Sequence, residues 1–109
     1  MPTPGTEVAL CTVDELEEGG MKHIEHMGYD LLLVKLSGKF YALDDACTVS
    51  WAMLSEGTLD PANHTVVCPQ CQSVFDLQSG KPKSGPAKFP LTVYETHVVG
   101  DEVIVAFVY

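Results

Sequence analysis

Short apolar segments alternate with glycine turns along most of the chain, and no segment keeps a helical period beyond about two turns. Antiparallel strands produce this pattern, because a tight turn can join one strand directly to the next. We therefore expect an all-β protein. The long predicted strands are residues 8–11, 21–26, 29–36, 39–43, 91–98 and 102–107, with turns at Met27-Gly28, Ser37-Gly38 and Val99-Gly100-Asp101.

Residues 12–15 depart from the strand pattern. Thr12-Val13-Asp14-Glu15 has the form of a capping box, in which the first and fourth side chains bond to each other's backbone N–H groups. The motif predicts a single helical turn that ends near Gly19-Gly20 and connects two strands.

In the last strand both alternating sets are apolar, so we expect one face in the core. The two sets are Val103, Val105 and Phe107 on one face and Ile104, Ala106 and Val108 on the other.

A length of 109 residues suits one domain with one core. Within it, the segment 44–90 carries three of the four cysteines and several prolines, and it shows only two short strands, Thr65 to Val67 and Ser73 to Leu77. We interpret residues 6–43 and 91–109 as a barrel-like base and residues 44–90 as a subdomain inserted into it. The exit of the insertion, residues 79–86, is interpreted as a flexible basic segment.

The formal net charge is -9, which repels nucleic acid and anionic membranes and favours a basic protein partner. No apolar run has the length of a membrane span, and the first residues lack the basic start and apolar core of a signal peptide. These features predict a cytoplasmic protein. In a reducing compartment, unevenly spaced cysteines are expected to be thiols or metal ligands and not disulfides.

Three cysteines lie in two loop-like segments that are twenty residues apart. Cys47 follows the strand that ends near Asp44, and the segment Cys68-Pro69-Gln70-Cys71 follows the short strand Thr65 to Val67. A Cys-x-x-Cys turn folds its second sulfur back toward the first, so that both can bind one metal ion. Cys47, Cys68 and Cys71 are therefore the candidate ligands of a metal or cofactor.

Several stretches resemble, in the same order, the segments of one protein family along essentially the whole chain. That family is the Rieske-type ferredoxins, which supply electrons to aromatic-ring dioxygenases. The matching stretches are Leu10-Cys11-Thr12 with Glu18-Gly19, Phe40-Tyr41-Ala42-Leu43-Asp44-Asp45, Leu54-Ser55-Glu56-Gly57, Val67-Cys68-Pro69 with Phe75-Asp76, and Ser84-Gly85-Pro86-Ala87.

The resemblance implies a two-iron, two-sulfide cluster in which each of two loops supplies one cysteine and one histidine. The cysteine positions fall on Cys47 and Cys68, but the histidine positions fall on Val49 and Cys71. Valine offers no donor atom, so an ordinary His-ligated Rieske cluster is not expected. Trp51 and Gln72 stand where the family has glycine or another small residue. In the same register, Ser73 and Tyr94 are candidates for hydrogen bonds to sulfur.

The remaining cysteine and the histidines are poor candidates for a fourth ligand. Cys11 belongs to the base and is expected to be a small buried residue. His64 precedes Cys68 by four extended residues, a separation of roughly 13 Å. The other histidines, His23, His26 and His97, are expected at the surface. The fourth ligand is left open among water, a small thiol and a shifted side chain.

Three functional hypotheses remain. The first is an electron carrier with an altered metal centre, an iron–sulfur cluster or a single iron ion bound by Cys47, Cys68 and Cys71. As a monomer, this protein would dock to a reductase and to an oxygenase-like acceptor. The second is a structural or protein-binding subunit without a cluster, similar to the small subunit of nitrite reductase, in which Val49, Trp51 and Gln72 fill the cluster volume. The third is thiol chemistry, with a reversible Cys68–Cys71 disulfide or a structural zinc. The sequence shows neither paired acids nor a nucleophile beside a base, which are the features that would indicate an enzyme.

Overall fold

The computed structural model describes residues 6–26 and 28–107, which form ten strands and two short 3₁₀ turns. The 3₁₀ turns are Val13–Glu15 and Leu54–Glu56. The strands in chain order are β1 (Thr6–Thr12), β2 (Met21–His26), β3 (Tyr29–Leu36), β4 (Lys39–Asp44), β5 (Thr58–Asp60), β6 (Thr65–Val67), β7 (Val74–Asp76), β8 (Pro82–Ser84), β9 (Val93–Val99) and β10 (Glu102–Phe107).

The strands form two sheets in which every described pair is antiparallel, so the all-β prediction is confirmed. A curled sheet of six strands has the order β1-β10-β9-β4-β3-β2. A second sheet of four strands has the order β5-β6-β7-β8. The first sheet uses only strands before residue 45 and after residue 92, and the second uses only strands between them. The exact division into a base and an insertion at residues 44 and 90 stays a prediction.

Strand β3 lies between two halves of the core. Leu31 and Leu33 pack with Val103 and Val105 from the other side of the six-stranded sheet. Their neighbours along β3, which include Leu32, point the opposite way and pack with residues of the second sheet and its loops. A strand that is buried on both faces has a nearly continuous apolar sequence, as β3 has. The two sheets are thus held together through β3, directly beneath the loops that carry the cysteines.

The base strands match the sequence prediction closely, and the capping box is also present. The N–H of Thr12 donates to the Glu15 carboxylate over 2.5 Å. Val103 and Val105 are fully buried, which confirms that one face of the last strand lies in the core. Met27, in a predicted turn, and Val108 lie outside the described residues.

Two predictions for the segment 44–90 are wrong. The segment contains four short strands where the sequence indicated two, because β5 and β8 consist mainly of polar and turn-forming residues and are held by pairing with β6 and β7. Residues 82–84, interpreted as part of a flexible exit, form β8 on the edge of the second sheet. Among the described residues, no helix has the length and apolar character needed to cross a membrane.

Candidate metal centre

The loops that carry Cys47 and Cys68 fold in the same way. In the first loop the N–H of Trp51 donates to the carbonyl of Cys47 over 3.0 Å, and in the second the N–H of Gln72 donates to the carbonyl of Cys68 over 3.2 Å. Trp51 and Gln72 also share a left-handed backbone, with φ of 63° and 61°. This is the conformation that glycine adopts most easily. The loops therefore keep a glycine-type turn although both glycine positions hold large side chains.

The paired loops bring three thiols together. The sulfurs of Cys47, Cys68 and Cys71 all lie within 4.8 Å of one another. Cys47 and Cys68 are fully buried, and Cys71 is partly exposed. One direct contact joins the two loops, because the Sγ atoms of Cys47 and Cys71 are 3.3 Å apart. Among the described residues, no histidine, aspartate or glutamate joins this group.

Hydrogen bonds from both loops reach the sulfurs of the two buried cysteines. The N–H of Val49 donates to Cys47 Sγ, and the N–H of Cys71 donates to Cys68 Sγ, each over 3.5 Å. The hydroxyl of Ser50, in the first loop, lies 3.3 Å from Cys68 Sγ in the second. Donors of this kind stabilise thiolates and orient them toward a shared centre. Ser50 is a site residue that sequence reasoning missed.

Ser73 provides the strongest contact to the third sulfur. Its buried hydroxyl accepts the N–H of Ala87 over 3.1 Å and lies 3.1 Å from Cys71 Sγ. Because a hydroxyl carries one proton, Ser73 can accept from Ala87 and donate to the Cys71 thiolate at the same time. The prediction that Ser73 contacts a sulfur is confirmed. The hydroxyl of Tyr94, in contrast, donates to Oδ1 of Asp44 over 2.7 Å, so that candidate is not supported as a sulfur donor.

These contacts give the two thiols that meet between the loops opposite properties. The Ser73 hydroxyl lowers the pKa of Cys71 from the ordinary 9.0 to about 6. Burial raises the pKa of Cys47. Cys71 is therefore the thiolate of this pair at neutral pH, and Cys47 holds its proton until a metal or base removes it.

Gly85 fixes Ser73 in place. A Cβ atom at residue 85 would lie 2.6 Å from the Cα of Ser73, closer than real Cβ contacts allow. Gly85 also has a φ of +88°, which disfavours any other residue. The segment Ser84-Gly85-Pro86-Ala87 therefore packs against the backbone of the second cysteine loop, and only glycine permits this approach.

A buried carboxylate holds the first loop on the base. Asp45, which is 1% exposed, accepts hydrogen bonds from the N–H and hydroxyl of Ser55 over 2.7 and 2.6 Å. Its Oδ2 also lies 2.7 Å from Nδ1 of His23, on β2. His23 was expected at the surface; its side chain is 30% exposed, and its ring is directed to Asp45. The sequence gives little sign of the pair, since its members are 22 residues apart.

The other sequence candidates lie outside the thiol group, as expected. Cys11 is buried with Leu16 and Leu31 in the core of the base. His97 is exposed and lies 3.5 Å from Glu7. The carbonyl of His64 accepts the N–H of Leu77, and its side chain does not join the three sulfurs.

The donor set does not fit the two-cysteine, two-histidine ligation that the resemblance implies. Val49 has no donor atom, and none of the histidines that the structure describes lies in the thiol group. Three sulfurs that converge within 4.8 Å do fit a tetrahedral centre, since metal–sulfur bonds of about 2.3 Å separate two ligands by about 3.8 Å. The expectation that bulky side chains fill the cluster volume is wrong, because Val49 and Trp51 are 44% and 76% exposed and Gln72 is also exposed.

Comparison with known proteins places this geometry in a family. The model of the Rieske [2Fe-2S] domain matches residues 6–95. The 3-phenylpropionate/cinnamic acid dioxygenase ferredoxin subunit of Photorhabdus laumondii is 39% identical over 89 residues, which cover 82% of this chain and 83% of the relative.

Two solved structures have the same fold over almost their whole length. The ferredoxin of carbazole 1,9a-dioxygenase from Nocardioides aromaticivorans superposes with a TM-score of 0.89 at 28% identity, and the match covers 93% of this chain and 97% of that one. A ferredoxin chain from a complex of reduced oxygenase and oxidized ferredoxin of carbazole 1,9a-dioxygenase gives a TM-score of 0.85 at 34% identity, with 92% of each chain covered. The chain therefore belongs to the Rieske [2Fe-2S] domain family.

Proposed function

We propose that this protein is a small electron carrier, related to the ferredoxins of ring-hydroxylating dioxygenases, whose redox centre is held by Cys47, Cys68 and Cys71. The observation that carries the proposal is the convergence of three thiols from two loops within 4.8 Å. Thiols that serve only as small apolar residues of the core do not need to converge on one point from two loops.

The centre contains iron, either in a cysteine-rich cluster with sulfide or as a single ion. Zinc would fit the sulfurs equally well but does not change its oxidation state, so it cannot carry electrons. Soft thiolate ligands select iron–sulfur clusters and related metals over hard cations. The chain supplies three ligands, and the fourth position is filled from outside, by water or by a small thiol.

The surface supports transfer between two protein partners. The net charge of -9 favours docking on a basic reductase through electrostatic attraction. The exposed side chains of Val49 and Trp51 lie in the loop beside the thiols, where an acceptor must approach. Relatives act as ferredoxin subunits of dioxygenases, and one was solved together with its oxygenase. The acceptor proposed here is an oxygenase-type protein.

The test begins with protein purified without oxygen, in which iron, zinc and acid-labile sulfide are counted per folded chain. About two irons with two sulfides identify a cluster, and about one iron without sulfide identifies a mononuclear centre. The loaded chain is then placed between an NADH-dependent flavin reductase and cytochrome c. The expected result is cytochrome reduction that depends on the chain.

Two serine variants make the result specific. Cys68→Ser removes a ligand and should abolish both metal content and electron transfer. Cys11→Ser, at a buried cysteine outside the group, should keep both. Equal losses in the two variants would contradict the assignment of the site.

A cluster-free subunit that binds other proteins is the second candidate, and Val49 favours it because it offers no ligand where the family has histidine. A folded chain that stays colourless and metal-free after anaerobic purification and after reconstitution with iron and sulfide would replace the electron carrier with this function.

A further inference from the structure

We infer that Cys47 and Cys71 form a reversible disulfide that joins the two cysteine loops and removes the metal site. This inference concerns the regulation of the site assigned above and rests on that proposed function for its consequence. The bond itself is a property of the metal-free chain and can be measured without any metal.

The geometry selects this pair. Their Sγ atoms already lie 3.3 Å apart. A disulfide needs about 2.05 Å, so the two sulfurs must approach by only about 1.3 Å. Both residues lie in loops, where a small rotation of each side chain can supply this movement without a change in the strands. The contact crosses between loops that are 24 residues apart in sequence.

The sulfur of the third cysteine, Cys68, contacts other groups. Cys68 is fully buried, its sulfur lies 3.3 Å from the Ser50 hydroxyl, and it accepts the N–H of Cys71. The third sequence hypothesis included a reversible disulfide between Cys68 and Cys71. The structure favours an inter-loop bond in its place, with Cys68 left as a thiol.

Exposure determines the order of the chemical steps. Cys71 is partly exposed and Cys47 is buried, so an oxidant from solution reaches Cys71 first. With a low-molecular-weight disulfide RSSR as oxidant, the Cys71 thiolate attacks one sulfur, forms Cys71–S–S–R and releases RS⁻. The Cys47 thiolate then attacks the Cys71 sulfur, forms the protein disulfide and releases the second RS⁻. Two electrons pass from the protein to RSSR, and both protein thiols lose their protons.

The consequence is a site with one ligand. Two of the three converging sulfurs are consumed by the bond, and a single buried thiol does not hold a metal ion. The loading of the site is therefore sensitive to thiol oxidants, and a reductant such as dithiothreitol restores it.

The experiment treats the metal-free full chain with oxidised glutathione and maps the product by mass spectrometry after cleavage at glutamate. Glu56 lies between Cys47 and the Cys68-Cys71 pair, so cleavage there separates the two loops unless a disulfide joins them. The expected product is a cross-linked pair of peptides that dithiothreitol separates, with a mass loss of about 2 Da for the two hydrogens. Peptides that separate, with the loss confined to the Cys68-Cys71 fragment, would overturn the inference.

Variants identify the partners in the bond. Cys68→Ser and Cys11→Ser should still cross-link the loops, whereas Cys71→Ser should not. A cross-link that survives in Cys71→Ser would assign the bond to Cys47 and Cys68 and contradict the inference. Circular dichroism confirms that each variant is folded, and the map of the unaltered chain decides the result if a variant does not fold.

Zinc alone, added to the reduced and the oxidised chain, separates this inference from the proposed function. The reduced chain should bind zinc, and the oxidised chain should lose at least tenfold in affinity. If the reduced chain binds zinc and glutathione leaves the loops unlinked, the switch is wrong and the metal site stands. If the loops link but the reduced chain binds neither zinc nor iron, the metal site is wrong and only the disulfide stands.

Discussion

Nδ1 of His23 lies 2.7 Å from Oδ2 of Asp45, and this pair ties strand β2 to the start of the first cysteine loop. Asp45 is buried and also binds both the N–H and the hydroxyl of Ser55. Because Asp45 precedes Cys47 by two residues, the network determines where the loop leaves the sheet. The position of the first thiol thus depends on a histidine in the base.

Asp45→Asn should lower the free energy of unfolding by about 1–3 kcal/mol. The carboxylate of Asp45 accepts hydrogen bonds with both oxygens, whereas the NH₂ group of asparagine is a donor and would face another donor at one of these positions. Urea denaturation of the metal-free chain measures this effect. The matched control is Asp30→Asn, at an exposed carboxylate 3.4 Å from Nε2 of the same histidine, where we expect a change below about 0.5 kcal/mol. Equal losses in the two variants would show that burial of Asp45 has no special role.

Cys71 should react with iodoacetamide at a lower pH than the other thiols of the reduced, metal-free chain. Its pKa is lowered to about 6, and the thiolate is the reactive form, so its rate should rise as the pH increases through 6 and level off above 7. The pKa of Cys47 is raised by burial, so Cys47 should react only at higher pH. Peptide mapping after timed quenching gives the two profiles.

Ser73→Ala should move the Cys71 profile toward the ordinary pKa of 9.0, because the hydroxyl that stabilises the thiolate is removed. Ser79→Ala is the control, since that hydroxyl donates to Asp76 in an exposed turn. A midpoint that stays near 6 in Ser73→Ala would mean that another group stabilises the thiolate.

Gly85→Ala should destabilise the chain more than Gly38→Ala. Both glycines have a positive φ, +88° and +74°, so both substitutions carry a backbone cost of about 1–2 kcal/mol. Only at residue 85 would the new Cβ meet another backbone, at 2.6 Å from Ser73 Cα, whereas residue 38 has nothing within 4 Å. Thermal unfolding compares the two. If Gly85→Ala also displaces Ser73, the Cys71 alkylation profile should move to higher pH.

Cys47→Ser should abolish metal binding and still leave a folded chain. The strands of the base pair with one another and make no use of this thiol, although placing a hydroxyl in a fully buried position should cost about 1–3 kcal/mol. Zinc titration and circular dichroism check the two parts. Unfolding of a metal-free Cys47→Ser chain would show that this residue is essential to the core.

The sequence predicted the base strands well because their evidence is local. In β3 and β4 the apolar pattern and the Ser37-Gly38 turn determine both the strand and its ends. Strands β5 and β8 could not be found in this way, because each has at most one apolar side chain besides proline and depends on its neighbour for its hydrogen bonds.

The candidate site also contains some residues that local patterns indicate and others that only the fold brings together. Cys47, Cys68, Cys71 and Ser73 follow from motif spacing and from the register of the resemblance, and the assignment of the three cysteines as ligands stays a prediction until a metal is measured. The contact between Ser50 and Cys68 and the pair of His23 with Asp45 join residues that are 18 and 22 positions apart. No local signal marks such partners, and only the folded chain brings them together.

Trp51 is the only tryptophan of the chain, and it is 76% exposed on the loop whose first residue is Cys47. Its indole fluorescence therefore originates at the edge of the thiol group and has no background from another tryptophan. Bound iron should quench this emission, and a docked partner should shield the ring from acrylamide. The bulky residue at a glycine position thus gives this protein a built-in optical probe for both the loading of its centre and the approach of its partner.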